Sequence, residues 1–272
     1  MSTAVENRKP VVDGPTVVAI AAIAMSLNVG LHEGVHALTC LAVGGRLQAY
    51  SALYADCESS TIWQMKIVAG AAPVYNLLAG TLAWLVLRRV SKVSSEMRLF
   101  LWLFTIMNWF YGAGYFILSG AINIGDYAVV IRGWEPHALW RTLLLVVGTP
   151  LYFGLVWLAL RAFAGMVGGE GEEQMRRTRK LFTISYITAA MVVLSAGFFC
   201  PEGLLGLPVT AGLAAALGAL SPLVWAPRFF RPERMVKGPM EPLEIRRQWP
   251  WIGAAVVVVF IYAFVLGRTL FF

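Results

Sequence analysis

Thr16-Val17-Val18-Ala19-Ile20-Ala21-Ala22-Ile23-Ala24-Met25-Ser26-Leu27-Asn28-Val29-Gly30-Leu31-His32-Glu33-Gly34-Val35-His36-Ala37-Leu38-Thr39-Cys40-Leu41-Ala42-Val43 runs for 28 residues with Glu33 as its only carboxylate. About 20 predominantly apolar residues cross the hydrocarbon of a bilayer as a helix, so the stretch reads as a membrane span. Six further runs of this kind follow, at 62–87, 99–122, 143–160, 181–199, 204–226 and 251–266. The 272-residue chain is 58% hydrophobic and 14% charged, with a mean hydropathy of +0.69. Soluble domains carry about 45–50% apolar and about 25% charged residues. A soluble globule, a disordered chain, a collagen and a disulfide scaffold are therefore excluded. An outer-membrane barrel is excluded too, because its strands alternate over about ten residues. The fold expected is an all-α, polytopic helical membrane protein with about seven transmembrane helices, or six if one weak span is lost.

The basic residues sort with these spans. Arg8 and Lys9 precede the first; Arg88, Arg89, Lys92 and Arg98 lie around the second connection. Arg161, Arg176, Arg177, Arg179 and Lys180 lie around the fourth, and Arg228, Arg231, Arg234, Lys237, Arg246 and Arg247 around the sixth. These are 17 of the 22 Lys and Arg. Lys and Arg are enriched in cytoplasmic loops, so the N-terminus is expected in the cytoplasm and the C-terminus outside, in a plasma or inner membrane. The net charge of +7 is thus a topology signal and implies no nucleic-acid partner. The basic 227–250 connection also suits anionic membrane lipids. Cys200-Pro201-Glu202-Gly203 is too short to be more than the turn of a hairpin between spans five and six. The three cysteines are read as unpaired small apolar residues, with Cys57–Cys200 as the one disulfide considered.

His32 and His36 are four residues apart, so on a helix they share a face. Two imidazoles so placed can grip one metal ion, with the adjacent Glu33 as general base. Glu33 is the only carboxylate inside any span, and an unpartnered ionisable group at that depth costs at least about 2.5–3.5 kcal/mol. Zinc suits two His, a carboxylate and an open position. The third ligand is assigned to Asp126, just past the third span and level with the late part of the first, after a Gly125 that lets the chain bend. Glu135 and His137 in the same loop are rivals. Asn28 continues the stripe toward the N-terminus, as a support for the ligands or as an interhelical contact.

His32-Glu33-Gly34-Val35-His36-Ala37, the following Gly44-Gly45, and Ala71-Ala72-Pro73-Val74-Tyr75-Asn76 in the second span resemble the site-2 protease family of intramembrane zinc metalloproteases. The last element is similar to that family's Gly-Pro-x-x-Asn, with Ala72 in place of Gly. The resemblance covers about residues 16–130 and implies a three-helix catalytic core, with 1–15 as a cytoplasmic segment and 131–272 as accessory helices. It implies Zn2+ on His32, His36 and Asp126, Glu33 as the catalytic base, and Asn76 holding the substrate backbone. The substrate would be a transmembrane or membrane-associated protein cut in or beside a helix. The context of Asp126 departs from the family, since Gly-Asp-Tyr stands there without the usual Pro and following Gly. The orientation departs too: familiar members carry the zinc nearer the cytoplasm. The stretch 46–54 alternates loosely and could pair with an extended substrate as an added strand. Two other functions fit the same motif: a membrane-embedded zinc hydrolase of a small or lipidic substrate, and a non-catalytic binding or transport protein that retains a metal site.

Overall fold

The computed structural model describes residues 11–89, 93–229 and 242–272. Arg8, Lys9, Lys92, Arg231, Arg234 and Lys237 of the charge pattern lie outside them. The long apolar runs are helices: α1 Gly14–Ala42, α2 Ile62–Arg89, α3 Ser95–Ile122, α5 His137–Ala164 and α6 Gly171–Gly197. A five-residue α4, Asp126–Val130, sits between α3 and α5. α7 Leu207–Ala219 and α8 Pro222–Trp225 follow, then α9 Trp249–Phe260, which continues through a π turn, Ile261–Val265, and a 3-10 turn, Leu266–Arg268. Six helices are long and apolar enough to cross a membrane. A seventh span is completed if the pair 209–219 and 222–228, bent by 40° at its break, counts as one. The break falls at Leu220-Ser221-Pro222, where Pro222 cannot donate to the preceding turn. α6 starts ten residues before the expected span, with Glu172, Glu173, Arg176 and Arg179 on the polar extension.

α1 is the hub, packing against α2, α3, α6 and α9. Its sequence explains this: Ala19, Ala21, Ala22, Ala24 and Gly30 keep it slim, and Val17, Ile20 and Met25 are fully buried. α3 is the second central helix, with α2 on one side and α5 on the other. Gly80 lies against the Thr105 carbonyl and Gly112 against the Pro73 carbonyl, where a Cβ would approach to 3.0 and 2.8 Å. Small residues let membrane helices approach this closely, as the Gly112-Ala113-Gly114 run leads one to expect. The main core joins residues of α1 and α3 to residues of α5, α6, α7 and the π turn that follows α9. The peripheral helices turn Leu78, Leu82, Val146, Val147, Val256 and Val257 outward, an apolar belt suited to lipid rather than water.

Two ends of the bundle are distinct. At one, Lys180 Nζ donates to the Val12 carbonyl, Arg177 donates to the Leu243 carbonyl, and Glu244 N–H to Ser95 Oγ. Asp13 caps α1 by accepting from Thr16 N–H at 3.0 Å and pairs with Arg247 at 2.9 Å. The Arg247 hydrogen bond, helped by Thr16, outweighs burial and draws the Asp13 carboxyl from 3.8 down to about 2. A depressed acid stabilises the fold above its ordinary pKa and loses that contribution as pH falls toward about 2. Asp13→Ala is therefore expected to cost about 0.5–2 kcal/mol at neutral pH, the worth of an N-cap. The cost should shrink as pH falls toward about 2, which thermal unfolding in detergent from pH 7 to 2 would measure.

At the opposite end lies a small antiparallel sheet, β2–β1–β3, made of β1 Arg46–Tyr50, β2 Ala55–Glu58 and β3 Leu270–Phe271. β1 and β2 form a hairpin in which Tyr50 faces Ala55 and Arg46 faces Glu58. The extreme C-terminus pairs with the other edge of β1 at Ala49 and Tyr50, and Phe272 N–H donates to the Gln48 carbonyl. The 46–54 stretch is thus a strand followed by a turn, but β1 is the middle strand, so the idea that it offers a free edge to a substrate is corrected. The reading of the cysteines is corrected as well. Cys40 and Cys57 form a disulfide that ties the end of α1 to β2, while Cys200 is free and buried. Gly45 sits in the crook of that bridge, 2.9–3.0 Å from both sulfurs at its would-be Cβ.

Candidate metal centre

His32 and His36 lie ten and six residues before the end of α1, roughly 15 and 9 Å inside it at 1.5 Å per residue. Their rings are 4.9 Å apart and nearly perpendicular. Asp126, the first residue of α4, joins them: its Oδ2 is 3.3 Å from His32 Nε2 and 3.5 Å from His36 Nε2. Two local features deliver that carboxylate. Asn123 ends α3 in the left-handed conformation, and Gly125 takes φ +88°, where a Cβ would strike the Tyr115 ring at 2.9 Å. The same Tyr115 ring stacks on His32 at 5.4 Å, so the glycine, the tyrosine and the histidine form one wall.

The other ring nitrogens are also engaged. His36 Nδ1–H donates to the Val68 carbonyl at 2.8 Å, and His32 Nδ1–H to Asn76 Oδ1 at 2.6 Å. A backbone carbonyl can only accept, so His36 must carry its proton on Nδ1. With both protons on Nδ1, two Nε2 lone pairs and a carboxylate oxygen converge with no donor between them. The Asp126 Oδ2 is buried and has no hydrogen-bond partner. A cation among the three atoms resolves this repulsion, and histidine ligands held through Nδ1 are the usual metal-site arrangement. The ligand atoms lie within 4.8 Å of one another, and among the described residues this is the only such group. The residues present therefore fit a metal ion.

Glu33 is 8% exposed, one position on from His32, on the helix against which β1 and β2 pack. Tyr50 donates its hydroxyl to the Gly30 carbonyl on the same helix. A Cβ at Gly34 would lie 3.5 Å from the same hydroxyl, so the sheet rests on the part of α1 that carries Glu33.

The remaining candidates are placed elsewhere. His137 is half-buried at the start of α5, with Nε2 3.1 Å from Asn123 Oδ1 and its backbone N–H on Glu135; neither His137 nor Glu135 joins the metal group. Asn76 is fully buried. It accepts from His32 and donates to Asn28 Oδ1 at 3.2 Å and Asn108 Oδ1 at 2.9 Å, so both of its amide hydrogens are spent within the protein. Asn28 thus backs the ligand support through Asn76. Sequence reading overlooked Asn108, Val68 and Tyr115. A third amide in the third apolar run is a signal for Asn108, because a buried amide in lipid needs a partner; a carbonyl such as that of Val68 leaves no trace in side-chain identity. No known family, curated protein or solved structure matches this chain.

Proposed function

We propose that the protein is a membrane-embedded zinc metalloendopeptidase that hydrolyses peptide bonds in or next to membrane helices. What supports this is one arrangement: His32 Nε2, His36 Nε2 and Asp126 Oδ2 converging beside Glu33 inside a helical bundle. His32, His36 and Asp126 would hold the ion; zinc bound there would supply a coordinated water with a pKa near about 7 and a Lewis acid for a carbonyl oxygen. Glu33 accepts the proton as the water oxygen attacks the scissile carbonyl carbon; as the carbon–nitrogen bond breaks, it passes that proton to the leaving amine. A helix hides its carbonyls in its own hydrogen bonds, so the substrate must be extended where it is cut. β2 is an edge strand of the sheet and packs against α1, the helix that carries Glu33. An extended segment added to that edge would lie against the base.

One observation favours a lipidic substrate instead. An apolar cavity of about 310 Å³ between α3 and α7 is lined by Tyr111, Tyr115, Leu118 and Ala219, against the tyrosine that stacks on His32. Comparing membrane proteins and lipids of cells producing the wild type or Glu33→Gln separates the two readings. The protease account expects an uncut membrane protein to accumulate; an accumulated lipid ester with unchanged proteins would replace it.

The metal end also carries the Cys40–Cys57 disulfide, and disulfides persist in oxidising compartments. This supports an orientation in which the site faces the outside, in line with the basic loops at the opposite end. Intact cells treated with a denaturing thiol reagent are expected to show one reactive cysteine, Cys200, per chain, rising to three after reduction. Three thiols without reduction would contradict that orientation.

A further inference from the structure

We infer that Asn108 and Asn76 form a hydrogen-bond relay that selects the metal-binding tautomer of His32, an inference that rests on the metal reading of the site. The relay starts at a backbone carbonyl. Asn108 Nδ2 donates to the Phe104 carbonyl at 2.8 Å, a group that can only accept, so the amide of Asn108 can face only one way. Its Oδ1 is thereby turned to Asn76, whose Nδ2 donates to it at 2.9 Å. The second Nδ2 hydrogen goes to Asn28 Oδ1. With both hydrogens spent, the face that Asn76 shows to His32 is Oδ1, at 2.6 Å. An acceptor there obliges His32 to carry its proton on Nδ1, which leaves the Nε2 lone pair aimed at Asp126. A flipped Asn76 would offer a donor to Nδ1, move the proton to Nε2 and close the metal position. All three amides are fully buried, on α1, α2 and α3, out of reach of bulk water. Asn28 is the weaker anchor, because its own Nδ2 has no partner among the described residues. Asn76 and Asn108 are positioning residues that act through His32.

The test is cobalt(II) binding to the purified, metal-stripped full chain in detergent, read by the visible spectrum and by chelator competition. Removing an outer partner of a metal-bound histidine typically weakens metal binding 10–100-fold. Asn108→Leu frees the Asn76 amide to flip and is expected to weaken cobalt binding about tenfold. Asn76→Asp presents an acceptor to His32 whichever way it turns; it also sets an oxygen against Asn108 Oδ1, a cost to folding stability rather than to the His32 contact, and is expected to bind about as tightly as the wild type. The decisive variant is the pair Asn76→Asp with Asn108→Leu. A carboxylate has no orientation to lose, so affinity is expected to return to that of Asn76→Asp, a rescue that a packing role for Asn108 would not give. Wild-type affinity in Asn108→Leu, or no rescue in the pair, would overturn the relay. If Asn108→Leu does not fold, Asn76→Asp alone decides, and a tenfold loss there overturns it. A wild-type chain that binds no cobalt would remove the metal reading itself, an outcome distinct from the failure of the relay.

Discussion

Glu33→Gln is expected to leave the metal content of the protein unchanged and to lower turnover by about 10²–10⁴, the range that a positioned general base contributes. Glutamine keeps the shape of Glu33, so the packing of the sheet on α1 persists, and His32, His36 and Asp126 are untouched. Only the ability to take up a proton goes. The carboxylate sits 8% exposed beside the first histidine, a costly position in a membrane bundle, and general-base chemistry is the reason offered for it. The measurement pairs metal analysis of both purified proteins with the amount of uncut membrane protein in cells producing each. Cleavage undiminished in the variant would end the account of Glu33, and with it the distinction from a binding or transport protein that merely retains a metal.

The second large effect concerns the third ligand. Asp126→Ala is expected to weaken zinc binding by more than about 100-fold, beyond the 10–100-fold typical of losing an outer partner, because it removes one of three converging donor atoms. His137→Ala is expected to bind zinc as the wild type does, since His137 is engaged with Asn123 and Glu135 and stands outside the metal group. Chelator competition on the two variants measures both. A loss of zinc in His137→Ala with retention in Asp126→Ala would reverse the assignment. The prediction draws on Gly125 as well: its positive φ and its contact with Tyr115 aim Asp126 at the histidines, so the aspartate is held by a shaped turn rather than by a loose loop.

Much of this was legible in the residues. Long apolar runs give helices because lipid offers the backbone no other partners, and the i, i+4 spacing of His32 and His36 puts them on one face. Asp126 was reachable by its order and depth, because α1 and α3 run the same way. What escaped is what depends on a distant partner. Cys40 and Cys57 meet only because the hairpin folds back over the end of α1, and spacing along the chain does not show that. β2 and β3 have four and two residues, too short for a periodicity to register. Asn76 was marked by its place in a motif, but its role follows from Asn108, which lies 32 residues away. The polar start of α6 belongs to the helix but not to an apolar run, so hydropathy placed its beginning late.

The central claim is tested most directly by the metal stoichiometry of the purified protein. The account predicts one zinc per chain in the wild type and essentially none in a folded His36→Ala variant. A folded wild-type protein that holds no divalent metal when zinc is supplied, or a His36→Ala variant that holds as much as the wild type, would contradict it.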